Sequence, residues 1–291
     1  MDTQQYEEFP CDICGMHDAV EVPHAREYTG GQPVHICMHC GFVYVKQRRS
    51  AGAIADVWSD QIFGSGYTAA IPAVQARLTF VAEFINEKLK LQGKKVCDIG
   101  AGEGDFLDMI RQSRLGASVF GIEPSKKNCE RMQSMGIENF IGTAEEYAVS
   151  SYKRAFDIAT ITWTIENCQS PRKMLEIVHD LLSDGGHVVI ATGSRILVPF
   201  KKPLSYYLGK NPSDSHSFRF SARTLEALLA VSHFEVVSTN RYIDHDILCV
   251  IARKKSTQEQ IPWSGDNYLD VHHFFERWHN ETALYYPSEQ Q

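Results

Sequence analysis

Lys94-Lys95-Val96-Cys97-Asp98-Ile99-Gly100-Ala101-Gly102-Glu103-Gly104-Asp105 decides the fold. Its first half is an apolar strand, and its glycines make a tight turn. A helix is expected to open near Asp105. The next apolar run, Ser118-Val119-Phe120-Gly121-Ile122, reads as a second strand ending in Glu123. Strand, glycine turn, helix, strand and terminal carboxylate together form the pattern of a nucleotide-type ligand site.

Outward from this stretch the chain alternates. Residues 70–91 carry apolar side chains at helical spacing and should form a helix ended by Gly93. After the first two strands, further strands are expected at 139–141, 156–162 and 187–192, with helices at 103–114, 125–135 and 171–182. Ser221 should cap a helix reaching Val231, and two more strands follow at 234–240 and 247–253. This alternation implies an α/β fold with a doubly wound, mostly parallel seven-stranded sheet. The short connection before the last strand suits a hairpin, so that strand should run antiparallel.

The 291 residues allow one large domain, or a medium one with a small companion. The expected division is a metal-binding ribbon at 1–50, a helical lead-in at 51–92, a ligand-binding core at 93–254 and an aromatic tail at 255–291. Within the core, residues 193–220 should form a cover over the active site. A hydrophobic share of 43% and a charged share of 22% are ordinary for a globular protein. No apolar run reaches the ~20 residues that span a bilayer. The first residues lack the basic and apolar segments of a secretory signal, so a cytoplasmic location is expected. The net charge of −7 argues against a nucleic-acid partner.

Four of the eight cysteines form two C-x-x-C-G knuckles, Cys11-Asp12-Ile13-Cys14-Gly15 and Cys37-Met38-His39-Cys40-Gly41. Facing each other, such knuckles supply four thiolates to a tetrahedral zinc ion. Four sulfurs leave no open position, so the zinc should be structural and should hold together a module too small to build its own core. His17, His24, His35 and His39 are expected nearby but not as ligands. Residues 1–50 hold four basic residues against seven acids, the wrong balance for a phosphate backbone.

The glycine spacing G-x-G-x-G differs from the dinucleotide pattern G-x-G-x-x-G. Glu103 and Asp105 crowd the helix start, where they would repel a pyrophosphate. Asp98-Ile99-Gly100-Ala101-Gly102-Glu103-Gly104 resembles motif I of class I S-adenosylmethionine (SAM) methyltransferases. With the ribbon ahead of it, the chain looks like the zinc-containing methyltransferases of sugar and surface-polysaccharide biosynthesis. The resemblance extends to Glu123-Pro124-Ser125, Gly142-Thr143-Ala144-Glu145-Glu146, Thr164-Ile165-Glu166-Asn167 with Pro171, and Asp214-Ser215-His216-Ser217-Phe218-Arg219-Phe220-Ser221. It implies SAM contacts from Asp98, Gly100, Ala101, Gly102, Gly104, Pro124, Thr143, Ala144 and Thr162, with Glu123 on the ribose hydroxyls. Sugar C-methyltransferases carry a large further C-terminal domain that the last stretch here does not match, which favours O-methylation.

Methyl transfer from a sulfonium needs orientation, and an alcohol acceptor also needs a base. His216 is the first candidate and Glu166 the second; each also has a structural alternative, as a loop-orienting or a capping group. Residues 195–223 hold six basic residues and one acid, which suits either a solvated face or an anionic small acceptor such as a nucleotide-sugar. Lys201 and Arg219, with Trp58 and Tyr67 ahead of the core, are the candidate acceptor contacts. The aromatic tail could dock on the core, wall the acceptor pocket or make a homodimer. Two other readings stay open: an RNA methyltransferase with a zinc reader, and a non-catalytic SAM-binding scaffold whose ribbon docks a partner.

Overall fold

The expected core strands all form in the computed structural model, which describes residues 6–59, 72–112, 114–150, 155–200, 202–213 and 215–283. They are β1 (Lys95–Ile99), β2 (Ser118–Glu123), β3 (Glu138–Ile141), β4 (Phe156–Thr162), β5 (Leu182–Thr192), β6 (Phe234–Thr239) and β7 (Leu248–Lys254). They lie in the order β6-β7-β5-β4-β1-β2-β3. The first five run parallel, and β7 is antiparallel to both β5 and β6. The order reverses between β1 and β4, where open α/β sheets form their ligand crevice. β5 starts five residues earlier than expected, because Asp184-Gly185-Gly186 is absorbed as an irregularity between Leu182 and His187.

The helix Pro72–Leu89 buries Leu78, Val81, Ala82 and Ile85 in one cluster with Phe106, Leu107, Ile110, Cys129 and Met132. Each large apolar side chain there contributes roughly 1.5–3 kcal/mol on burial. The helix Asp105–Arg111 is shorter than the 103–114 expected, and Lys126–Ser134 and Pro171–Leu181 form close to their expected bounds. Ser125 and Ser170 cap the latter two, each accepting a bond from the third residue beyond. Ser221 Oγ accepts from Thr224 N at 3.0 Å, as expected of a cap.

The chain divides into two units. The larger comprises residues 51–193 and 229–261 and contains the sheet. The smaller gathers residues 1–50, 194–228 and 262–291. In the smaller unit a four-stranded sheet runs Phe218–Arg219, Val43–Tyr44, His35–Cys37, Ala19–Glu21. Three strands come from the N-terminal ribbon and one from the stretch expected to be a cover. The helix Tyr268–Ala283 buries Val271, Phe275 and Trp278 in a cluster with Val34, Ile36, Val43, Ile196, Leu204 and Leu208. The ribbon therefore has a core after all, built with the cover stretch and the tail. That corrects the picture of a module too small for one.

Candidate functional site

The turn after β1 is built from close packing. Gly100 N and Ala101 N both donate to Ile122 O, at 2.8 and 3.1 Å, which stitches the turn to β2. Gly100 adopts φ +71°, and a Cβ there would stand 2.5 Å from Thr164 Oγ1. Gly102 and Gly104 are also left-handed, and a Cβ on Gly104 would meet Met132. Thr164 follows β4, so Gly100 is needed because the two central strand ends meet there.

Two carboxyls flank the turn. Asp98 is buried and accepts from Thr160 Oγ1 at 2.6 Å, its register partner on β4. Burial first, then the neighbouring Glu123, pushes its pKa up to about 7 against the Thr160 bond. Glu123, at the end of β2, is also buried. It accepts from Gly102 N and Ser125 N, both at 2.9 Å, and burial raises its pKa. A carboxylate has about four acceptor sites, so its two oxygens keep capacity for a vicinal diol.

Glu103 and Asp105 are not bare charges. Arg131 donates to Asp105 at 2.7 and 3.1 Å and to Glu103 O at 2.6 Å. The exclusion of a pyrophosphate therefore rests on a different fact from the repulsion expected: the cation beside the helix start is already spent. Gly104, without a side-chain cap, leaves the helix start to its N–H groups. The residues present fit SAM: a left-handed glycine turn, a ribose-type acceptor, and no uncommitted cation at Arg131 for a phosphate.

Several expected contacts look different in place. Thr143 is the N-cap of Ala144–Val149 in a capping box with Glu146, so its hydroxyl and N–H serve that helix. Ala144 is buried beneath it, Pro124 is half-buried after Glu123, and Thr162 ends β4 in register with Ala191. Trp58 is half-buried in the turn that follows the helix Ala51–Asp56. Tyr67 and Lys201 lie outside the described residues.

Glu166 is sealed in the core at 0% exposure, in a short 3₁₀ turn after β4. Burial pushes its pKa up to about 7; the Glu166 and Gly193 N–H groups and the Thr192 hydroxyl pull the other way. Neither oxygen makes a hydrogen bond of good geometry. That enclosure corrects its reading as an acceptor-facing base. Beside it Trp163 holds φ +53°, a strained conformation for a bulky side chain, of order 1–3 kcal/mol. Its N–H donates to Ala191 O and its carbonyl accepts from Asn167 Nδ2. Nothing in the sequence marks Trp163, whose constraint arises from β5; Arg131 and Thr160 are visible only through pairing.

In the smaller unit the four knuckle sulfurs converge within 4.8 Å of one another, with Cys11–Cys40 and Cys14–Cys37 both at 3.5 Å. Zinc–sulfur bonds of ~2.3 Å place tetrahedral sulfurs ~3.8 Å apart, so the set fits zinc. Gly15 N and Gly41 N close the knuckles onto Cys11 O and Cys37 O. Hydrogen bonds from Cys11 and Cys40 hold the Cys37 thiol below its ordinary range. His39 pairs with Asp18 at 3.1 Å instead of joining the sulfurs.

His216 also sits in this unit, exposed and left-handed at φ +58°. Its Nδ1 lies 2.7 Å from Ser194 Oγ. The surrounding protein, then Arg219 and Lys202, lower its pKa, so the ring is neutral at pH 7. Arg219 is fully buried and donates to His216 O at 2.6 Å and Leu208 O at 2.8 Å. It braces the loop and does not face an acceptor, which corrects its reading as an anion contact. Arg195 is buried as well, so the basic face is thinner than its sequence suggests.

A family model described as a methyltransferase domain matches residues 73–239, more than half of the chain. The chain belongs to that family. The ubiquinone biosynthesis O-methyltransferase of Schizosaccharomyces pombe is 29% identical over 128 residues, covering 42% of this chain and 46% of that protein. The chain spans about half the length of the curated relatives it matches. Among solved structures, the 1,6-didemethyltoxoflavin-N1-methyltransferase of Burkholderia thailandensis aligns with a TM-score of 0.53 at 16% identity, covering 74% of this chain and 95% of that one. The [4+2]-cyclase SpnF aligns equally well, at 0.53 and 14% identity, covering 71% and 97%. Both show the shared fold.

Proposed function

We propose that this chain is a SAM-dependent O-methyltransferase acting on a small-molecule acceptor. The observation that carries the reading is Glu123: a buried carboxylate at the end of β2, bonded to Gly102 N across the mouth of the glycine turn. When bound, SAM supplies an electrophilic methyl group on a sulfonium. Gly100, Ala101, Gly102 and Gly104 would shape its seat, Glu123 would accept from its ribose hydroxyls, and the Asp98–Thr160 pair would keep the turn rigid. Family membership supports the activity, and the curated relatives named O-methyltransferases support oxygen as the acceptor atom.

His216 is the proposed base. Its ring stays unprotonated near neutrality, as taking a proton from an acceptor hydroxyl requires, while its lowered pKa makes it a weak base. The Cys11, Cys14, Cys37, Cys40 centre would hold zinc in a structural role, because it is closed. A sugar or phosphorylated acceptor gains no support from these relatives, and the buried Arg195 and Arg219 weaken the case for an anionic one.

The test is calorimetric SAM binding to wild type and Glu123→Ala, followed by labelled-methyl transfer to hydroxylated ubiquinone precursors and to nucleotide-sugars. Binding that weakens roughly a hundredfold in the variant, as expected when a buried charge-assisted contact is lost, supports the cofactor site. Folded protein that does not bind SAM refutes it. Binding without transfer to any acceptor favours the scaffold reading.

A further inference from the structure

Both cysteine knuckles are tied to one short segment, residues 218–221. Asp12 lies inside the first knuckle, and its carboxylate is 2.8 Å from Arg48 Nη2, with both side chains almost fully buried. The Arg48 guanidinium sits between the rings of Phe9 and Phe218, at 4.5 and 4.8 Å, and donates to Val45 O at 2.8 Å. At the second knuckle, Cys40 O accepts from Asp266 N at 3.0 Å. Gly265 is pressed so closely there that a Cβ would stand 2.4 Å from Cys40 O. Asp266 Oδ2 in turn accepts from Ser221 Oγ at 2.5 Å.

Phe218 and Ser221 therefore mark the two attachment points of one short segment. Between them, Phe218–Arg219 pairs with Val43–Tyr44, and Val45 N donates to Ser217 O at 2.9 Å. Phe42 stacks on Phe218 at 6.0 Å, with its ring plane within 3°. His216 stands at the head of this segment, and its strained backbone is held by Arg219 through the His216 carbonyl.

We propose that Arg48 and Asp266 are positioning residues that couple metal loading to the placement of His216. A closed four-sulfur centre fixes the knuckles, and the two buried links pass that rigidity to residues 216–221. The metal would then serve the placement of the base as well as the stability of the ribbon. This rests on the reading of His216 as base, and the experiment separates the two.

Hydrogen exchange is compared in zinc-loaded and chelator-stripped full-length protein. Stripping should raise exchange at 216–221 and 43–45 roughly tenfold, leave 95–99 unchanged, and shift the His216 ring signals in a ¹H–¹⁵N spectrum. SAM affinity should hold. Zinc-loaded Arg48→Met and Asp266→Asn should loosen 216–221 and surrender zinc to a chelator several-fold faster, whereas Arg48→Lys, which keeps the charge but loses the stacking and the Val45 bond, should recover part of the protection. Unchanged protection at 216–221 after metal removal, or a protein that takes up no zinc, overturns the proposal. If Arg48→Met does not fold, Asp266→Asn decides on the same readouts. Should His216→Ala retain full methyl transfer, the base assignment falls, while the exchange results still decide the coupling.

Discussion

Replacing Glu166 with glutamine should change how stability depends on pH. Glu166 is fully enclosed, and burial lifts its carboxyl from 4.5 to about 7. At ~1.4 kcal/mol per pH unit this corresponds to roughly 3 kcal/mol. The folded state binds the proton more tightly than the unfolded chain. Stability is therefore fully present below the unfolded value and lost as pH rises through the window from 4.5 to about 7. Glutamine has the same shape and no ionisation. Its amide N–H groups add buried donors whose desolvation costs about 1–3 kcal/mol at every pH, so the absolute difference is uninformative. The change of that difference with pH isolates the carboxyl. Asp98, raised to about 7 in the same direction, is present in both proteins and cancels. Urea unfolding of both at about pH 5 and about pH 8 should show Glu166→Gln gaining most of that ~3 kcal/mol on the alkaline side. A difference that stays flat within ~0.5 kcal/mol would refute the reasoning, because the ionised carboxylate would then be solvated or paired in the fold.

Gly100→Ala should destabilise by ~2–4 kcal/mol, since it combines a left-handed backbone with a Cβ placed 2.5 Å from Thr164 Oγ1. Thermal unfolding measures it, and a companion Thr164→Ala change should recover part of the loss. Cys37→Ser should abolish zinc uptake, read by elemental analysis, while SAM calorimetry stays as in wild type because Asp98, Gly102 and Glu123 belong to the other unit. His216→Ala should lower kcat roughly 10²–10⁴-fold with no change in SAM affinity, which steady-state kinetics beside calorimetry would separate.

The core was legible because its signals are local. An apolar run, a glycine turn and a capped amphipathic helix each report on neighbours in sequence, so β1, β2 and β4 match their expected bounds. β5 was read short because Asp184-Gly185-Gly186 has turn chemistry, which the tertiary pairing with β4 and β7 absorbs. The convergence of the four cysteines was legible for the same reason, since each knuckle is one turn. What stayed hidden were pairings across long stretches of chain. Asp98 with Thr160, Asp105 with Arg131 and Asp12 with Arg48 are set by register and topology. Arg219 shows the cost of that blindness: in sequence it is one more cation in a basic run, and in the fold it is a buried brace.

The same distinction bears on how the smaller unit should be understood. A ribbon that folded by metal alone would need nothing from residues 194–228. Here Phe218–Arg219 supplies the fourth strand, Ile196, Leu204 and Leu208 supply core, and Phe275 and Trp278 fill it from the tail. Three distant pieces of chain thus share one apolar cluster, while the four sulfurs all come from the first. A metal bound by the four sulfurs would consequently not replace a missing core. It would fix the knuckles at Asp12 and Cys40, which are the points where Arg48 and Asp266 attach. On the proposed coupling, a closed, chemically inert centre would govern where His216 stands within its own unit without touching a substrate.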